Sequence, residues 1–144
     1  MNWKFEAMDE LREYEAKRIA TENIPLEIAQ LREQMDKLGG SSNSTPVKGG
    51  GSQWEDRQIN LIVKLDKLST SLAIAKDWTS KVERGLAVLS AEERLVLDRF
   101  YINHAKGNVD RLCGELHLEK TAVYCRRDAA LRKYTLARYG CVEV

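Results

Sequence analysis

Two histidines, two prolines and three cysteines are all that this chain of 144 residues contains of those types. Each shortage excludes something. With so few histidines, no GxSxG or HExxH spacing and no glycine-rich loop between a strand and a helix, no arrangement for nucleophilic, general-base or metal catalysis is present, and no enzymatic activity is expected. Cys113, Cys125 and Cys141 are odd in number and lack CxxC spacing, which argues against a disulfide framework and fits a reducing compartment. Cys113, His117 and Cys125 offer no clear fourth ligand for zinc, so no metal or other cofactor is expected. No apolar run approaches the roughly 18–20 residues of a membrane span, and the acidic N-terminal segment lacks a signal-peptide layout. A cytoplasmic protein without a membrane partner is therefore expected. The length of about one domain excludes a large multidomain enzyme.

Charge of one sign is also missing overall, since the formal net charge is +1. Locally the charges are sorted. Residues 1–38 carry 6 basic and 9 acidic side chains, a net −3, whereas residues 119–138 carry 6 basic and 2 acidic, a net +4.

What the chain has in quantity is Leu, Glu, Lys, Arg and Ala, the strong helix formers, so the fold class is all-α. Residues 39–53 hold five glycines, four serines and a proline with almost no apolar side chain, and read as a flexible linker. Before it, in a helical segment spanning 1–38, Ile24, Ile28, Leu31, Met35 and Leu38 follow a 4/3 seam. Trp3, Phe5, Met8, Leu11, Tyr14 and Ile19 upstream are less regularly spaced. Pro25 suits the first turn of a helix restarting there, with a kink at Thr21 to Pro25. After the linker, a long amphipathic helix over 54–89 repeats the alternation through Leu61, Leu65, Leu68, Leu72, Ala75, Val82, Leu86 and Leu89, with Thr79 the polar exception. These stripes can close on each other as an antiparallel hairpin or on another chain, and spacing does not choose. Trp3, Trp54 and Trp78 read as packing residues at helix edges.

Residues 90–144 form the remaining domain. Ser90-Ala91-Glu92-Glu93 is a capping-box pattern that opens a new helix. His104-Ala105-Lys106-Gly107 breaks it, Asn108 is placed to cap a short helix with Val109, Leu112, Cys113 and Leu116, and a last helix runs from about Glu119 to Tyr139, ending at Gly140. A short helix, a tight turn at His117-Leu118 and a basic helix make a helix-turn-helix pattern. Lys120, Tyr124 and Arg127, at i, i+4 and i+7, are read as a groove-facing stripe with Thr121 beside them and Val123, Ala130, Leu131 and Tyr134 largely opposite.

With Leu89 to Leu97 upstream, the segment VDRLCGELHLEKTAVYCRRDAALRK resembles region 4 of sigma-70-type transcription factors. The whole layout resembles phage transcriptional regulators of the ArpU/RinA type. The first resemblance covers residues 88–138, the second nearly all of the chain. It departs from the region 4 pattern at His117, where glycine is usual, at Glu119, where Ser or Thr caps, and at Arg127, where an aliphatic core residue is common.

The resemblance implies a sequence-specific regulator of late phage genes that binds promoter DNA and acts in the cytoplasm of a bacterial host. Lys120, Thr121 and Tyr124 are the implied base-edge candidates. Lys106, Arg111, Arg126, Arg127, Arg132 and Lys133 are the phosphate candidates, which fix register without reading sequence. The implied partners are double-stranded DNA, RNA polymerase and further copies of the chain joined through the N-terminal helices. A DNA-packaging or assembly adaptor, similar to a small terminase subunit and working through its oligomerising helices, is the competing expectation.

Overall fold

A computed structural model of the protein describes residues 1–41 and 50–143. Five α-helices account for most of them: α1 (Trp3–Ser41), α2 (Gly50–Leu86), α3 (Ala91–Leu97), α4 (Asn108–Leu116) and α5 (Lys120–Tyr139), with a five-residue π-helical turn, Asp98–Ile102, after α3. The fold is all-α, and among the described residues the β contribution is one isolated bridge between Asn2 and Glu143. The linker expected over 39–53 has its centre, residues 42–49, outside the described residues; the flanking residues up to Ser41 and from Gly50 are helical.

The chain divides into two compact units: Ile19–Lys76, and Met1–Arg18 together with Asp77–Val144. In the first, the seams anticipated from spacing face each other. Ile28 and Leu61 are buried, and Ile24, Leu31, Met35, Leu38, Leu65, Leu68, Leu72 and Ala75 are half-buried. Trp54 Nε1 donates to the Leu38 carbonyl at 2.9 Å. Pro25, Ile28 and Arg32 share a groove with Ser69, Leu72 and Lys76, while Leu31 and Gln34 share another with Lys64 and Leu68, so the two strands of the hairpin are antiparallel. Within the chain the two stripes thus close on each other as an antiparallel hairpin.

Pro25 does not restart a helix. It sits inside α1, which is continuous from Trp3 to Ser41. A proline in a helix interior forfeits a hydrogen bond and costs about 3 kcal/mol. Here Ile24 and Ile28 on either side lie on the packed seam, so leaving the helix would uncover that stripe.

The other unit gathers both ends of the chain around one core. Ala7 and Leu11 of α1, Val82 and Leu86 of α2, Leu89, Leu97 and Tyr101, and Ala130, Leu131 and Tyr134 of α5 form it. The first eighteen residues were expected to belong with the N-terminal seam, yet they pack with the C-terminal helices. Trp3 stacks on Tyr139, with ring centroids 4.7 Å apart, and its amide donates to the Val142 carbonyl at 2.8 Å. Glu10, almost wholly buried, accepts from the Tyr134 hydroxyl at 3.1 Å and pairs with Arg138 at 2.9 Å. Burial and the Glu10 carboxylate both push the Tyr134 phenol well above its ordinary range.

Helix α2 stops at Leu86, three residues before the expected end, and a turn leads to Ser90. The capping box forms as its pattern predicts: the Glu93 amide donates to Ser90 Oγ at 3.2 Å and the Ser90 amide donates to Glu93 Oε1 at 3.0 Å. That backbone donor, with Lys133, holds the Glu93 carboxyl below the usual carboxylate range.

Candidate nucleic-acid interface

Helices α4 and α5 are joined by His117, Leu118 and Glu119. His117 adopts the left-handed conformation (φ 54), the only described non-glycine residue to do so, and its neighbour Leu118 donates to the Cys113 carbonyl at 3.1 Å. An αL residue after a helix satisfies end carbonyls and reverses the chain at once, and His tolerates that conformation at a cost. Glu119 occupies the N-cap position of α5 in an extended conformation, with no side-chain hydrogen bond to the helix. Its carboxylate is too long to cap as Ser does.

A compact apolar cluster fixes α4 against α5. Val96, Leu112 and Val123 are fully buried, with Leu95, Phe100, Val109, Cys113, Leu116 and Leu118 packed around them. Asn108 plays a part different from the expected one. Gly107, at φ 82, is the N-cap of α4, and Asn108 is the first helical residue, buried. Its amide donates to the Arg99 carbonyl at 2.6 Å and the Asn103 carbonyl at 3.2 Å, satisfying acceptors at the end of the π-helical turn.

The facing of α5 differs from the sequence expectation at Arg127. Lys120, Tyr124 and Arg127 do share a face, and that face continues at i+11 and i+14 into Leu131 and Tyr134, both core residues. Lys120 and Tyr124, near the helix start, are exposed, whereas Arg127 is half-buried on the inner edge. Arg127 is only 29% exposed in its side chain, with its guanidinium 5.2 Å from the Phe100 ring centroid and 5.0 Å from that of Tyr124. Tyr124 leans on Phe100, with ring centroids 6.0 Å apart. The face turned away from the core carries Thr121, Cys125, Asp128 and Arg132, all exposed. A cation is tolerated at this half-buried position because Arg127 lays its stem and planar head on aromatic rings.

The remaining candidates separate into groups. Lys120 is exposed and 3.6 Å from Asp110 across the turn, a pairing between two largely solvated groups. Arg126 and Lys133 reach back to α3, pairing with Glu92 at 3.0 Å and Glu93 at 3.1 Å. Such exposed pairs contribute about 0–1 kcal/mol and yield readily to a phosphate. Lys106, Arg111 and Arg132 are exposed. The structure therefore places Lys106, before α4, and Lys120, at the start of α5, on one cavity beside Tyr124, Arg111 exposed on α4, Thr121 and Arg132 on the outer face of α5, and Arg126 and Lys133 on its α3 side.

Two residues were not among the site candidates. Phe100 is the shelf on which Arg127 and Tyr124 rest, and Arg12, from the far N-terminal end of the sequence, lies 5.6 Å from the Tyr101 ring centroid. The continued i+11, i+14 spacing of the α5 stripe is the signal that places Arg127 at the core side. Nothing in local spacing brings Arg12 to this module.

No family model, curated protein or solved structure matches the chain.

Proposed function

We propose that the chain is a sequence-specific DNA-binding regulator whose α4–turn–α5 segment works as a helix-turn-helix. More narrowly, we infer from the region 4-like segment a regulator of the ArpU/RinA type, acting at late phage promoters with RNA polymerase as a further partner. The observation that carries the reading is the bracing of α5 by α4 through Leu112 and Val123, with Thr121 and Arg132 left exposed on the helix's outer face, Lys106 and Lys120 exposed near its N-terminal end and Arg111 exposed on α4. Major-groove readout needs a helix held rigidly at one side and open at the other, with cations nearby for the phosphates. Thr121 and Lys120 are suited to base edges; Arg132, Arg126 and Lys133 are suited to the backbone.

Selection of a consensus from random duplex DNA, followed by gel shift, tests this. Thr121→Ala is expected to cost about 1–3 kcal/mol on the selected site and to relax preference at one position. Arg132→Ala is expected to weaken binding to all sequences and lower the salt slope by about 1. Unchanged affinity and salt dependence in Lys120→Ala, Arg132→Ala and Arg127→Ala together would remove the reading.

A second copy is the partner proposed for the N-terminal half. On α2 the side chains of Ile59, Ile62, Val63 and Ile74 are between 43% and 65% exposed, on the face opposite the hairpin seam. A DNA reader of this size gains affinity from two half-sites, so a palindromic consensus is expected. The same apolar side chains favour the packaging-adaptor reading over a monomeric regulator. Analytical ultracentrifugation separates these, because a ring of many subunits fits packaging and a dimer fits regulation.

A further inference from the structure

We propose that Arg12 of α1 and Arg127 of α5 form a clamp for a phosphate group, at a site distinct from the outer face of α5. Arg12, Met8, Phe100, Tyr101, His104 and Arg127 line one open cavity of about 270 Å³. Each guanidinium is oriented by an aromatic face, Arg12 by Tyr101 at 5.6 Å and Arg127 by Phe100 at 5.2 Å. Both charges also reach the buried Tyr101 hydroxyl, whose proton is held chiefly by burial and also by Asp128, while the two arginines act against it. Two planar cations are thus brought to one place by elements more than a hundred residues apart in sequence.

A guanidinium stacked on a ring keeps its N–H edge free, and that edge is a fork matched to paired oxygens. The carboxylates present do not exhaust these donors. Asp9 is 3.5 Å from Arg12 and Asp128 is 3.0 Å from Arg127, and their own side chains are 66% and 58% exposed. They are surface pairs of the kind an incoming anion displaces. The ligand class follows from counting oxygens and space. A carboxylate offers two oxygens, which one fork satisfies, whereas two forks and the His104 imidazole suit a phosphate. The cavity lies just below the range of about 300–1,000 Å³ common for drug-sized organic ligands, which favours a small anion. The phosphate can belong to a DNA backbone or to a small phosphorylated compound, and the clamp does not depend on the regulator reading.

The test uses the full chain, with inorganic pyrophosphate and random duplex DNA as separate probes. The Nε–H resonances of Arg12 and Arg127 are followed by NMR, and the fold of each variant is checked by thermal melting. Pyrophosphate is expected to shift both resonances together, and Arg12→Gln is expected to weaken binding seen at Arg127 by about tenfold. Arg12→Lys keeps the charge but loses the fork, and full affinity in that variant would overturn the clamp geometry. If the phosphate is that of DNA, Arg12→Gln also lowers DNA affinity evenly across sequences and the salt slope by about 1. If it belongs to a small compound, Arg12→Gln leaves DNA binding unchanged while pyrophosphate binding is weakened. Should neither probe move the Arg12 resonance, and Arg12→Gln alter neither affinity, the clamp is overturned. Thr121→Ala leaves pyrophosphate binding intact in either case, so failure of the regulator reading and failure of the clamp give separate results.

Discussion

The two units bury their apolar residues to different depths. In the unit built from both chain ends, Ala7, Leu11, Val82, Val96, Leu97, Leu112, Val123, Ala130 and Tyr134 are wholly inaccessible. Among the described residues of the Ile19–Lys76 unit only Ile28 and Leu61 are buried, at 8% and 9% exposure. Two helices can close a line of contact, but their seam residues remain open at both flanks. Several helices crossing one another enclose a volume. Stability is therefore concentrated in the unit that carries the candidate interface, and the hairpin is left with apolar surface that a second copy could cover.

The largest test of that contrast is a pair of truncations. Leu11→Ala or Leu97→Ala should cost about 2–5 kcal/mol, as full burial predicts, whereas Leu65→Ala or Leu72→Ala in the hairpin should cost less than half as much. Urea unfolding followed by circular dichroism measures both, and equal losses would break the comparison. Oligomerisation sharpens it: if a second copy covers the hairpin, the cost of Leu72→Ala should depend on protein concentration.

Gly85→Ala is the next step down. A Cβ on Gly85 would stand 2.7 Å from Cε2 of the Tyr134 ring. Overpacking of this kind costs about 1–3 kcal/mol, from which the better helix propensity of alanine recovers up to about 1. A net loss in melting temperature is expected, and a gain would show that the Tyr134 ring can move aside despite its hydroxyl bond to Glu10.

Smaller effects come from the polar ends. Glu93 is ionised more easily than an ordinary carboxyl because the Ser90 amide, Lys133 and the Ser90 hydroxyl favour its charge. A depressed folded-state pKa stabilises above the unfolded value and fades as pH falls through the folded one. The stability gap between the protein and Glu93→Gln should thus be constant near neutrality and shrink below about pH 4. The smallest effect belongs to Tyr14, whose phenol is pushed up to about 12 by burial and by its 2.8 Å hydrogen bond to Glu83. A raised phenol contributes below its unfolded pKa of about 10 and loses that contribution as pH rises toward 12. Tyr14→Phe should therefore differ from the parent at pH 8 and converge with it in strong alkali, as pH-dependent melting would record.

Much of the fold was legible because it is periodic. The 4/3 seams of Ile24 to Leu38 and Leu61 to Leu86, the Ser90–Glu93 box and the stop at Gly140 are local patterns, and each appears where its spacing put it. The site was less legible. Arg127 reads as outward-facing because it is basic, although the spacing of its stripe runs on into Leu131 and Tyr134. A charged residue on a core-side edge violates the binary pattern, and here the exception is made tolerable by Phe100, more than twenty residues away in sequence. Asn108 was misplaced for a similar reason: it resembles a cap, but the carbonyls that need its amide belong to an irregular π-helical turn that has no simple period.

Sequence by itself determined the helical class, the stripes, the start at Ser90, the stop at Gly140 and the sorting of charge, all of which depend on neighbours within a turn or two. Tertiary structure decided that Met1–Arg18 joins the C-terminal module, that the hairpin closes within the chain, and which side of α5 is free. Those outcomes depend on which apolar surfaces find one another across long stretches of chain. The burial of Ala7, Leu11 and Glu10 against α5 is a gain that no local window contains.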